Sequence, residues 1–289
     1  MKYALLKILF LSSLFSVFAY ADMPVIAKTR EIKTFTQVLD YVKDQDTVLM
    51  ISVDNALLKS PLHMGERAWF YHRKAKHLKS GLKEPAATEK ALAEWTGVLN
   101  LFGQQIVADD IAKTIDQIQK KQIKIMGVSS RGLGLASLTV QHLAQAGIDL
   151  GRTSGVKQNI PVILGQKLLL VRNGILFTSG VGKAIALKKL ADLTKVAKPK
   201  KIVWVSHDQR TLDLVAEGMR YHNKGVEFIP LRYTIMDEAA KKFNSELADV
   251  QFESLMNVLS DEQAASKLKM PVDSKPVAKK QKLATNHQS

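Results

Sequence analysis

The 289-residue chain carries 42 Lys and Arg against 27 Asp and Glu, for a formal net charge of +15, with 46% apolar and 24% charged residues. That balance is globular rather than disordered, and the length suits one sizeable core with an insertion. With no cysteine, disulfides, zinc fingers, iron–sulfur clusters and cysteine nucleophiles are excluded, and past residue 21 no apolar run is long enough to span a membrane.

The N-terminus reads as an export signal. Lys2 and Lys7 precede a largely apolar stretch from Ile8 to Phe18, and Ala19-Tyr20-Ala21 is a small-x-small cleavage site. Residues 1–21 are therefore expected to be a signal peptide, with the mature protein periplasmic or secreted. A chain without cysteine is at ease in such an oxidising compartment.

The first element after the signal is Thr47 to Val53 (TVLMISV), a continuous apolar run of buried-strand length. Residues 59–108 are helical in pattern and carry Trp69, Phe70, Tyr71 and Trp95. This segment is too long for a simple crossover and is expected to form a small helical cap with those aromatics in its core. An amphipathic helix from Asp109 to Lys121 leads into a second strand, Ile123 to Val128, and a helix from Leu133 to Ala146 follows. Next, Asn173-Gly174 separates two apolar runs between Lys167 and Ser179. Asn-Gly is the strongest short hairpin signal, because both turn residues must take positive φ. Ile202 to Val205 and Val226 to Ile229 read as further strands, with a helix from Thr211 to Tyr221 between them. A last helical stretch, Asp237 to Leu259, is expected on the sheet edge. The rhythm predicts an α/β fold: a Rossmann-like three-layer arrangement with a parallel sheet covered on both faces. Core residues are 22–58 and 109–266, around the cap.

From Lys267 to Ser289 there are six Lys and one Asp, with Pro271 and Pro276. Such a composition cannot bury enough surface to offset ordering entropy, so a disordered basic tail is expected. It is either simply solvated or a contact for an anionic surface. The absence of interleaved aromatics argues against specific nucleic-acid binding.

In a doubly wound sheet, ligands sit beyond the C-terminal strand ends. Those ends carry Ser52-Val53-Asp54-Asn55, Ser129-Ser130-Arg131-Gly132 and Ser206-His207-Asp208, with Lys183 before the third. This order resembles the haloacid dehalogenase (HAD) superfamily. Through SVDNALLKS, WFYH, MGVSSRG, NGILFTSGVGKAIAL, KKIVWVSHDQRTL and LRYTIMDEAAKKFNSELADVQ, the chain is similar to secreted HAD-like proteins of unassigned function from intracellular bacteria. The shared stretches span about residues 35–262.

The resemblance implies roles for individual positions. In HAD phosphatases one Asp attacks phosphorus and a second, two residues on, acts as acid and base. A Ser and a Lys hold the phosphoryl oxygens, and carboxylates hold Mg²⁺. The nucleophile position falls on Ser52, the acid/base position on Asp54, and the phosphate-binding positions on Ser129 and Lys183. The final acidic pair falls on Ser206 and His207, with Asp208 one place late. A Ser hydroxyl is a poor nucleophile without a base and a poor Mg²⁺ ligand beside a carboxylate. The resemblance thus implies a degenerate phosphatase scaffold without its metal cofactor, binding a partner protein or a phosphorylated small molecule. An altered hydrolase is the alternative, using Asp54 or a Ser52–His207 pair oriented by Asp54 or Asp208. The remaining histidines show no metal-ligand spacing, Gly180-Val181-Gly182-Lys183 lacks phosphate-loop spacing, and Arg131-Gly132 reads as a loop.

Overall fold

The computed structural model describes residues 24–269 apart from 157–158, 196, 223–224 and 256–258. The expected signal peptide and residues 270–289 of the expected tail lie outside the described residues. In chain order the elements begin with β1 (Val25–Ile26), β2 (Arg30–Ile32), β3 (Thr47–Ser52) and β4 (Leu58–Lys59). Two helices follow, α1 (Arg67–Lys79) and α2 (Glu84–Phe102), and then β5 (Gln105–Ile106). Next come α3 (Asp110–Lys120), β6 (Lys124–Ser129) and α4 (Ala136–Gln145). After these run β7 (Ile160–Leu164), β8 (Lys167–Arg172), β9 (Ile175–Phe177) and α5 (Lys183–Thr194). The chain continues through β10 (Lys201–Ser206), α6 (Gln209–His222), β11 (Glu227–Tyr233), α7 (Asp237–Lys241), α8 (Ser245–Glu253) and α9 (Asp261–Leu268).

The fold is mixed α/β around a largely parallel sheet in the order β1-β11-β10-β3-β6-β9-β8-β7, with β2 also on β11. Strands β11, β10, β3, β6 and β9 run parallel, while β7, β8 and β9 form an antiparallel meander at one edge. Beyond the expected hairpin, β7 is the additional strand. At the hairpin tip Asn173 (φ 46°) and Gly174 (φ 73°) both take positive φ, as a two-residue turn of this type requires.

Side-chain alternation explains the two covered faces. Leu49 and Ile51 of β3 join Ile125, Val203 and Leu231 against Ile111, Ile115 and Ile118, which recur at helical spacing on α3. Met50, Met126, Trp204 and Phe228 point the other way, against Leu187 and Leu190 of α5 and Leu212 and Val215 of α6. Both faces are apolar, so the central strands read as unbroken runs.

The helical segment between β3 and β6 is clasped at its base, where Leu58 pairs with Ile106 and Lys59 with Gln105. Trp69 and Trp95 are buried in a third cluster with Met64, Val98 and Leu99, whereas Tyr71 is half exposed, so it is not a core aromatic. The 237–259 stretch departs from expectation. It breaks at Asn244, whose side chain accepts from the Leu247 N–H and caps α8, and α8 packs on α1 rather than on the sheet edge. Phe252 lies 5.0 Å from the Trp69 ring. Arg73, buried over both rings, donates to Asp249 at 3.2 Å and to Glu94 at 2.7 and 2.9 Å. A buried guanidinium needs carboxylates, and those of α2 and α8 supply them. The β11 edge is instead covered by the short strands β1 and β2. The expected start of the tail also shifts: a Ser260/Gln263 capping box starts α9, which takes Lys267 and Leu268 into its last turn.

Candidate functional site

Three parallel strands end in a buried serine on the same rim of the sheet: Ser52 on β3, Ser129 on β6 and Ser206 on β10. The chain leaves β3 toward β6 and β9 on one side, then returns to place β10 and β11 on the other. The β3/β10 boundary is therefore the switch point at which an open α/β sheet leaves a crevice.

Ser52 lies beneath the floor of that crevice. Its Oγ accepts from Trp204 Nε1 and from Lys183 Nζ, each at 3.3 Å. Lys183 starts α5, and its ammonium makes no ion pair among the described residues. Burial, reinforced by the nearby Arg67 guanidinium, pulls its pKa down to about 8, against the attraction of Asp54 and Asp208.

Asp54 and Ser129 face each other. Ser129 Oγ donates to Asp54 Oδ2 at 3.0 Å, while Arg131 Nε and Nη2 donate to Oδ1 at 2.9 and 2.7 Å. Arg131 also donates through Nη1 to Thr139 at 2.7 Å and lies over the Trp95 ring, so it is wholly enclosed. Burial alone would raise the Asp54 pKa, but Arg131 and the Ser129 hydroxyl hold it below the ordinary carboxylate range. Asp54 is thus ionised and doubly satisfied.

The third strand end splits its residues. Asp208 caps α6, accepting from the Arg210 N–H at 3.2 Å and the Thr211 hydroxyl at 2.7 Å. His207 turns away from Ser52: its Nδ1 lies 3.4 Å from the Tyr233 carbonyl and 3.5 Å from Asp237. Burial lowers its pKa, opposed by those two acceptors. The structure brings Ser52 to Lys183, and Ser129 to Asp54, but makes no Ser52–His207 hydrogen bond.

Above these groups the helical segment contributes Arg67. It donates to the Tyr71 hydroxyl at 3.0 Å and approaches Asp208 at 3.5 Å. Arg67 borders three adjoining clefts of about 640, 420 and 260 Å³. The first adds Tyr71, His207 and Arg232, the second Ser130, Gly180 and Lys183, and the third Asp54 and Trp95. Arg67 and Trp204 are participants that sequence reasoning did not single out, and Arg131, named at its strand end, was read there only as part of a loop. The only signal for Arg131 was its place two residues past a strand-end Ser; nothing local marks Arg67.

A family model described as "Protein of unknown function (DUF2608)" matches residues 31–265. The chain belongs to this family. Among its relatives, a "Putative outer membrane protein" of Chlamydia pneumoniae is 24% identical over 255 residues, covering 84% of this chain and 90% of that protein. Another "Putative outer membrane protein", from Chlamydia muridarum (strain MoPn / Nigg), is 21% identical over 226 residues, covering 78% and 83%. The DUF2608 region takes in every strand-end residue described above. Among the described residues no helix is long and apolar enough to cross a membrane.

Proposed function

We propose that the protein is an exported HAD-like phosphatase relative, with α1 and α2 as its cap, that has given up Mg²⁺-dependent phosphotransfer and binds a phosphorylated small molecule. One observation carries the reading. The Lys183 ammonium sits at the β3 end against the neutral Ser52 hydroxyl, without an ion-pair partner among the described residues, in a cleft it shares with Arg67. A phosphoryl group would supply the missing negative charge, and the N-terminus of α5 adds its own preference for an anion.

The donor set does not fit Mg²⁺. That ion wants oxygen ligands in an octahedron, usually with one or two carboxylates. Here Ser52 and Ser206 offer hydroxyls, His207 a nitrogen, and Asp208 is engaged in capping α6. Among the described residues no group of three His, Asp or Glu side chains is arranged to hold a metal ion.

Export is supported by the N-terminal signal pattern and by relatives named as outer membrane proteins. The basic C-terminal segment would then meet an anionic surface.

A second reading, an altered hydrolase, draws on the same contact. Once it has lost its own proton, the Lys183 amine would take the Ser52 hydroxyl proton as that oxygen attacks, and the Trp204 N–H would still donate to the oxygen. The test is calorimetric titration of residues 22–289 with a phosphomonoester panel, with and without Mg²⁺, alongside turnover assays. The expected result is Mg²⁺-independent binding, lost in Lys183→Gln, with no turnover. Turnover abolished by Asp54→Asn would overturn the proposal. Fluorophosphonate labelling of Ser52 that Lys183→Gln removes would favour the second reading instead.

A further inference from the structure

A second cavity lies at the opposite, N-terminal end of the strands, about 15 Å from the serine rim by strand rise. Its volume is about 310 Å³, between the sheet face that carries Met50, Met126 and Ile202 and the inner side of α5 at Leu187 and Leu190. The methionines are unbranched and polarisable, a lining that adapts to a flexible apolar guest.

The cavity has one anomalous residue. Lys124, at the start of β6, pairs in register with Val48, two residues before the Met126–Met50 pair. Period-two alternation therefore places Lys124 on the same apolar face as Met126. It is half-buried, borders the cavity and has no ion-pair partner among the described residues. The other ionic groups at the cavity do not answer it. Asp192 is held by Lys188 at 2.6 Å, and Lys198, a cation with a partner of its own, cannot pair with an ammonium.

We propose that this cavity binds a free alkyl carboxylate of medium chain length, its tail against Met50, Met126 and Leu190 and its head on Lys124. The size suits one chain, since the volume is at the lower end of the roughly 300–1,000 Å³ usual for ligand pockets. A single unpaired ammonium at the end of an apolar chamber matches a single negative charge. The site shares no residue with the strand-end cleft and stands or falls independently of it.

The test is calorimetry of the mature chain with octanoate, decanoate and dodecanoate below their micelle concentrations, with decanol as the uncharged control. Saturable one-to-one binding is expected, tightening by up to about fourfold per added methylene until the cavity is full. Lys124→Gln should weaken decanoate about tenfold and leave decanol unchanged. Leu187→Trp, which fills the chamber, should abolish binding while a thermal melt shows that the variant still folds. Absence of saturable binding in the native protein, or equal effects of Lys124→Gln on acid and alcohol, would overturn the proposal. So would binding to phosphatidylglycerol vesicles but not to monomeric acids, which would make the occupant a membrane.

Discussion

The carboxylate of Asp54 is clamped by Arg131, whose Nε and Nη2 both reach Oδ1 at 2.9 and 2.7 Å while Ser129 occupies Oδ2. One ion pair therefore ties the end of β3 to the end of β6 and, through Thr139 and Trp95, to α4 and α2. Two groups that the HAD resemblance assigns to chemistry, Asp54 and Ser129, are satisfied by each other and by a residue the resemblance does not use.

Because the pair is buried, removing one member leaves a charge without a partner. Arg131→Met is expected to cost about 3–5 kcal/mol. The double variant Asp54→Asn/Arg131→Met should recover a large part of that loss. Urea unfolding curves with unchanged slope would show both effects as shifts of the midpoint. If Arg131→Met is neutral, the clamp is not what holds this rim together.

Lys183 makes the opposite prediction. Its pKa is about 8 in the fold against about 10.4 in an unfolded chain, so between those values the unfolded state holds more protons. Stability should thus rise with pH from about 8 to 10.5 on account of this group. Lys183→Met, which removes a poorly solvated charge, should raise stability at pH 7 by about 2 kcal/mol. The same variant should lose phosphoryl binding, and native binding should fade above pH 8 as the ammonium loses its proton. A gain in stability that accompanies a loss of binding is the pattern of a residue retained for its ligand. Chemical denaturation and calorimetry on one preparation would measure both.

How much of this was legible beforehand depends on how local each determinant is. β3, β6 and β10 are buried on both faces and so show as TVLMIS, KIMGVS and KIVWVS. By contrast, β1 and β2 have only two and three residues, too few for any period to show. The packing of α8 on α1 was hidden for another reason: its deciding contact, Arg73 to Asp249, joins residues 176 apart. The candidate site divides in the same way. Ser52, Asp54, Ser129 and Lys183 could be placed by their strand ends, and the structure does gather them on one rim. Arg131 acquires its meaning only from Asp54, 77 residues earlier, and His207, which the hydrolase alternative paired with Ser52, turns toward Tyr233 and Asp237. Position on a strand end can be read locally; the direction of a side chain depends on partners that only the fold supplies.

The Asn173-Gly174 turn offers a test of a local determinant. Gly174 has φ of 73°, and a Cβ there would stand 2.4 Å from the Leu150 carbonyl oxygen. Gly174→Ala must therefore strain φ and displace the Leu150–Gly151 backbone, for a loss of at least about 2 kcal/mol. Asn173→Gly, which keeps the turn and makes positive φ easier, should change stability by less than about 1 kcal/mol. Thermal melts of the two variants would separate backbone demand from side-chain identity.

Acid sensitivity should centre on Asp249. Burial would raise its pKa, but hydrogen bonds from Lys76, His72 and Trp69 more than offset this and hold it at about 2. Arg73 adds a further contact at 3.2 Å. A folded value below the unfolded one of about 3.9 means that the group stabilises the fold above pH 4, and that this contribution vanishes as pH falls toward 2. The carboxylate is partly in contact with solvent, so screening trims the full linkage value, and Asp249→Asn is expected to cost about 1–2 kcal/mol at pH 7. Because the loss comes from charge, native and variant melting curves should draw together between pH 4 and 2. Their separation should also shrink in high salt, as for a network reached by solvent. A gap that stays constant from pH 7 to pH 2 would mean that Asp249 holds α8 to α1 by shape and neutral hydrogen bonds, with its charge contributing nothing.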